Sequence, residues 1–118
     1  MEKAIGIYDS GVGGLSVLRE LVRILPHHEI LYYADTAHMP YGERSRQEIV
    51  TFSKRIIDFL MRKGAGLIVV ACNTSSAIAL PCLSSEVALP LVGMIKPAVT
   101  VAGCYGSLGL LATQATVA

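Results

Sequence analysis

The sequence predicts an α/β fold, doubly wound, with a mainly parallel sheet and flanking helices. Three observations carry this. Short β-branched runs alternate with stretches of helical periodicity along the chain. The run "GLIVVA" at 66–71 is apolar on both faces, as a strand buried in a parallel sheet must be. Gly-rich or polar turns stand where the strand runs give way to helical patterns, which is the signature of β-α-β crossover units.

The elements follow in order. "KAIGIY" (3–8) is a strand that ends in the turn "DSGVGG". "LSVLRELVRIL" (15–25) places apolar residues at 15, 18, 22 and 25, a helical period, and Pro26 stops it. "EILYYA" (29–34) is the second strand, followed by a long polar connection, "DTAHMPYGER". Ser45 and Glu48 have the spacing of a capping box for a helix running to Lys63, with Gly64 as its stop. After the third strand, "TSSAIALPCLSSE" opens a helix in which Pro81 marks a kink or an early end. "LPLVGMI" (89–95) is expected as a fourth strand, "KPAVTVAG" as a short helix and "SLGLLAT" (107–113) as a fifth strand. "LLATQATVA" then reads as a strand, a turn and the first residues of a helix, so the 118 residues are expected to be a fragment of a longer protein.

Composition narrows the function. Apolar residues make up 53% of the 118, enough for a buried core, and the formal net charge is +1 with no basic run. That removes the electrostatic footprint of a nucleic-acid binder. The start "MEKAIGIYDS" lacks the pattern of a signal peptide. Stretches such as "VALPLVGMI" fall short of the roughly 20 residues a spanning helix needs. The expectation is a soluble, cytoplasmic protein with no membrane partner. Cys72, Cys82 and Cys104 are too widely and irregularly spaced for a disulfide framework or a zinc site. His27, His28 and His38 have no metal-ligand company and read as surface residues, so no metal is expected.

Ligands of a doubly wound sheet bind at the edge formed by the strand C-termini. Asp9, Ser10, Asp35, Cys72, Asn73, Thr74 and Thr113 all follow strand ends. "DSGVGG" lacks the Lys-Ser/Thr of a phosphate loop and the spacing of a dinucleotide loop. It remains a turn into a helix N-terminus that carries an acid and a hydroxyl, with Asp9 either a simple helix cap or part of an anion site. Cys72 sits between a buried strand and a helix start, where a thiolate is favoured. A free cysteine is otherwise commonly a small buried hydrophobe. Asn73, Thr74 and Asp9 tilt the balance towards chemistry. "PYG" (40–42) is a turn that is either structural or presents the N–H groups of Tyr41 and Gly42 to a carboxylate. Thr113 and Thr116 place two hydroxyls at another helix start, where capping is their simplest role.

Taken together, "YDSGVGGLSVLREL", "ADTAHMPYGERS", "ACNTSSA", "PLVGMIKPAV" and "LLATQATV" resemble the glutamate racemase family within the aspartate/glutamate racemases, over nearly the whole chain. The resemblance implies a flavodoxin-like racemase architecture of two similar α/β domains with the site between them. Residues 1–97 then belong to the first domain and 98–118 open the second, incomplete here. It implies a cofactor-independent isomerase acting on glutamate, a small-molecule substrate, and supplying D-glutamate for peptidoglycan and so for cell wall and cell shape. It also leaves room for a homodimer. Cys72 becomes one of two opposed cysteine bases, supported by Asp9, while Ser10, Tyr41, Gly42, Asn73, Thr74, Thr113 and Thr116 bind the substrate. The Cys-Thr-His motif that carries the family's second cysteine is missing from this sequence. Cys82, ten residues on from Cys72, lies about 15 Å away along a helix at 1.5 Å per residue. Cys104 is expected near the opposite sheet edge, so neither replaces it. The chain alone is therefore expected to be inactive. A related aspartate or hydantoin racemase and a non-catalytic carboxylate-binding module stay open as alternatives.

Overall fold

A computed structural model describes residues 2–117. Four strands, β1 (Ala4–Asp9), β2 (Ile30–Ala34), β3 (Ala65–Val70) and β4 (Leu91–Val92), form one parallel sheet in the order β2-β1-β3-β4. Helices α1 (Leu15–Ile24), α2 (Arg46–Arg62), α3 (Asn73–Leu83) and α4 (Ile95–Ala102) follow, with a 3-10 turn at Tyr41–Glu43 and a short α5 (Gln114–Val117). The central strand β1 is buried at every position, as a parallel strand covered on both faces should be. Its alternation sorts the core into two layers. Ile5 and Ile7 join Val69 beneath Val17, Leu18 and Leu21 of α1. Tyr8 points to the opposite face and packs with Ile49, Ile56, Ile57 and Leu60 of α2 and with Ile78, Ala79 and Leu83 of α3.

Helix α2 shows how local sequence sets an element. Ser45 Oγ accepts from Glu48 N–H at 3.2 Å and Glu48 Oε2 accepts from Ser45 N–H at 2.8 Å, the reciprocal pair of a capping box. These bonds hold the Glu48 carboxyl below the usual carboxylate range. Its buried residues, Ile49, Ser53, Ile56, Ile57 and Leu60, form one stripe at helical spacing. Gly64 ends it with φ +104°, the left-handed region where a side chain is strained.

Helix α3 runs through Pro81 and ends two residues later, at Leu83, the early end expected of that proline. Two sequence expectations are corrected. Strand β4 shrinks to two residues of the expected seven. Pro90 has no N–H to give to a ladder, although its carbonyl accepts from Ile68 N–H at 3.0 Å. Residues 107–113 form no strand. A strand needs a neighbour, and β4 at the sheet edge is too short to template one; Leu108, Leu110 and Leu111 are exposed instead. No helix among the described residues is long and apolar enough to cross a membrane.

Two outcomes follow from these packing facts. Gly64→Ala is expected to cost about 1–2 kcal/mol, read as a lower urea midpoint with an unchanged slope. No atom lies within 4 Å of the added methyl group, so the loss reports backbone strain alone. The second concerns alkaline pH. Burial pushes the Tyr8 phenol well above its ordinary range, and burial followed by the hydrogen bond to Asp35 does the same for Tyr41. A phenol whose folded pKa is raised binds a proton that the unfolded chain has lost. Its contribution is complete below about pH 10 and is lost as pH rises from there towards the folded value. For Tyr8 the stability slope above that point approaches about −1.4 kcal/mol per pH unit. Urea midpoints between pH 9 and 11 check this, and Tyr8→Phe should flatten the decline.

Candidate functional site

Parallel pairing brings the ends of β1, β2, β3 and β4 to one edge, where one side chain ties the turn before α1 and another caps α3. At the end of β1, Asp9 Oδ1 accepts from Ser10 N–H at 2.8 Å and Oδ2 from Gly14 N–H at 2.6 Å. Its carboxylate thus faces the start of α1, where free N–H groups and the helix dipole favour negative charge. Beyond β3, Cys72 is the N-cap of α3, and its sulfur accepts from Ser75 N–H at 3.4 Å. The Cys72 thiol donates to Ser10 Oγ at 3.5 Å. The cysteine is 4% exposed and Asp9 6%, so the two groups meet at the floor of the edge with little bulk water around them.

That edge is hollow. A cleft of about 660 Å³ is lined by Asp9, Ser10, Cys72, Asn73, Thr74, Thr113 and Thr116 together with apolar residues from α4 and the segment 110–112. Seven of the nine residues expected at a site therefore share one cavity. At one wall, Thr74 Oγ1 lies 3.1 Å from both Thr113 Oγ1 and Thr116 Oγ1, and those two are 2.9 Å apart. Three hydroxyls so grouped can turn their hydrogens outward onto an anion. Tyr41 and Gly42 stand behind this wall. A Cβ on Gly42 would come within 2.6 Å of Thr113 Cγ2, so glycine is what lets the turn approach. The Tyr41 ring is buried and its hydroxyl donates to Asp35 Oδ2.

The charge pattern is lopsided. Asp9 is the only charged side chain lining the cleft among the described residues. Any anion held there rests on N–H and O–H dipoles, while Asp9 is free to face a cation. A thiolate at a helix N-terminus can take a proton from a weak carbon acid, becoming a thiol, while nearby N–H and O–H donors receive the charge left on the carbon acid. No group of three or more metal-ligating side chains occurs among the described residues. Neither Cys82, inside α3, nor Cys104, beyond α4, lines the cleft.

Two features escaped the sequence reading. Ser75 meets the sulfur through its backbone, which no residue pattern reports. His38, expected on the surface, binds the buried Asp35 carboxylate at 2.9 Å through Nδ1 and stacks on Phe52 at 4.1 Å. The pairing of Asp35 and His38 at three-residue spacing in "DTAH" was the available signal.

With this geometry in hand, comparison with known proteins is direct. A family model described as Asp/Glu/Hydantoin racemase matches residues 5–118. The glutamate racemase of Trichodesmium erythraeum is 49% identical over 118 residues, covering 99% of this chain and 44% of that protein. The crystal structure of glutamate racemase from Thermus thermophilus in complex with β-chloro-D-alanine superposes with a TM-score of 0.92 at 47% identity, over 98% of this chain and 45% of that one. The enzyme from Francisella tularensis in complex with D-glutamate gives 0.90 at 37% identity, over 98% and 44%. The chain spans less than half the length of the relatives it matches. A capped cysteine, an aspartate and a hydroxyl wall at one parallel-sheet edge, matched along residues 5–118, place this chain in the Asp/Glu/Hydantoin racemase family.

Proposed function

We propose that this chain supplies one half of the active site of a cofactor-independent glutamate racemase, in which Cys72 is the base acting on D-glutamate. The observation that carries the reading is Cys72 itself, a thiol capping a helix in a cleft whose other polar groups suit an amino acid. Its Asp9 carboxylate matches an ammonium group, and the Thr74–Thr113–Thr116 hydroxyls and Asn73 match a carboxylate. The relatives named above are glutamate racemases, which favours glutamate over aspartate or a hydantoin. Pocket physics alone would not decide, since one methylene is worth about 1–3 kcal/mol.

In this reading the Cys72 thiolate takes the α-proton of D-glutamate. The C–H electron pair passes into the α-carboxylate, where N–H and O–H donors receive the growing charge. A second thiol on the opposite face returns a proton, giving L-glutamate, and the reverse path regenerates the D-isomer. Asp9 is held by Ser10 N–H and Gly14 N–H and orients the ammonium beside the sulfur, while Ser10 touches the sulfur directly. Gly42 supports the carboxylate subsite from behind by letting the turn that carries Tyr41 approach Thr113. The second thiol comes from chain beyond these residues, with 98–118 opening a second domain. Exposed Ile95, Leu110 and Leu111, which line the cleft, support that assignment. The enzyme works in the cytoplasm and its product feeds peptidoglycan.

In a full-length protein, wild type should incorporate solvent deuterium at Cα of D-glutamate. Cys72→Ala should lose this by roughly 10²–10⁴-fold, the usual scale of a positioned base. NMR of the recovered amino acid reads it, and undiminished exchange would sink the role given to Cys72. The 118 residues alone should leave the optical rotation of D-glutamate unchanged. Gly42→Ala should weaken D-glutamate binding about tenfold by displacing Thr113, a loss of about 1.4 kcal/mol, measurable by calorimetry.

A further inference from the structure

Ser76 joins three parts of the chain at the sheet edge. Its N–H donates to Cys72 C=O at 2.9 Å. Its hydroxyl donates to the carbonyl of Val70, the last residue of β3, at 3.0 Å. The same oxygen accepts from Met94 N–H, at the N-cap of α4, at 3.0 Å. The side chain is buried, so no bulk water stands ready to replace it.

The hydroxyl occupies the place of a ladder rung. In the parallel pair, Ile68 faces Leu91 and Val69 faces Val92, and Ile68 N–H donates to Pro90 C=O at 3.0 Å. Rungs of a parallel ladder are evenly spaced. Continued past Val92, the series reaches Met94 N–H and Val70 C=O. Those two groups are not bonded to each other. Ser76 Oγ stands between them and serves both, which spaces the end of β4 from β3 and leaves neither backbone group bare. Gly93 makes room for this, since a Cβ there would lie 3.1 Å from Ser76 Oγ and 2.6 Å from Leu80 Cδ2.

Both ends of the joint face the substrate cleft. Cys72 lines it from one side of Ser76, and Met94, Ile95 and Ala98 line it from the other, while Ser76 itself stays out of the lining. We infer that Ser76 is a positioning residue that sets the distance between the Cys72 turn and the α4 wall, and through it the fit of D-glutamate. This rests on the reading of the cleft as a glutamate site and extends it to a residue that never touches substrate.

The test uses a full-length protein and follows racemisation of D-glutamate by circular dichroism. Ser76→Ala should raise KM by about three- to tenfold and leave kcat within about twofold, because the α4 wall binds substrate alike before and during proton removal. Ser76→Thr keeps the hydroxyl and should return KM to within about twofold of wild type. Ser53→Ala removes a buried hydroxyl that has no hydrogen-bond partner and should change neither constant. An unchanged KM in Ser76→Ala overturns the inference, even with a lowered melting temperature, because a merely structural role predicts that result. So does a Ser76→Thr variant as impaired as Ser76→Ala. Should Ser76→Ala fail to fold, Ser76→Cys, similar in shape but a poor hydrogen-bonding group, decides by the same KM. Deuterium exchange lost in Cys72→Ala, beside an unchanged KM in Ser76→Ala, overturns this inference alone. Exchange that survives Cys72→Ala, beside a raised KM in Ser76→Ala, overturns the base reading alone.

Discussion

The site depends on a helix-capping constraint. In a parallel sheet each strand hands over to a helix whose first N–H groups have no partner within the helix. Serine, threonine, aspartate or asparagine ordinarily fills that need and is spent in doing so. Here Cys72 is such a cap, answering Ser75 N–H at the start of α3, and Asp9 ties the turn that leads into α1 through Gly14 N–H. Both groups are therefore held in position by the fold itself. Folding and function draw on the same two hydrogen bonds. A sulfur is a weak, long-reaching acceptor, so Cys72 closes its helix less tightly than an oxygen would and stays available to a proton.

Among the described residues the cleft has no cationic side chain. A ligand that carries both an ammonium and a carboxylate is served poorly by a fixed lysine or arginine, which would repel one end while binding the other. Dipoles solve this locally. The Thr74, Thr113 and Thr116 hydroxyls face one wall, and the Asp9 carboxylate lies at the floor. Hydroxyls also reorient, so one cluster can follow a charge that grows during proton removal. The close approach of Gly42 to Thr113 shows how tightly that wall is assembled from distant parts of the chain.

Much of this was legible in the sequence, and the reason differs from element to element. Helix α2 announced itself through chemistry that is local: Ser45 and Glu48 satisfy each other, and Gly64 takes a backbone shape few residues accept. Strands β1 and β3 were legible because burial on both faces leaves nearly continuous apolar runs. The segment 107–113 misled because an apolar run states only that a surface wants cover, and not that a ladder partner exists. Likewise Pro90 silenced part of β4 through a missing donor, a property of its neighbour's needs as much as its own. The grouping of Asp9, Ser10, Cys72, Asn73 and Thr74 was legible from the rule that strand ends share an edge. The Ser75 contact was not, since any residue offers the same backbone N–H.

The buried polar groups show where the sequence departs from what stability alone would select. Asp35, Ser53 and Ser75 are all buried, at 5%, 0% and 0% exposure. Asp35 is fully engaged by His38 and by Tyr41, and the turn it anchors is the one that presses Gly42 against Thr113. A polar group placed in a core specifies one arrangement among several that apolar packing would tolerate. In this chain Asp35 lies immediately behind the hydroxyl wall, held by His38 and Tyr41, while the buried Ser53 and Ser75 hydroxyls have no hydrogen-bond partner. Directional bonds in the interior are spent behind that wall, and the apolar layers beneath α1 and α2 are left to hold the rest.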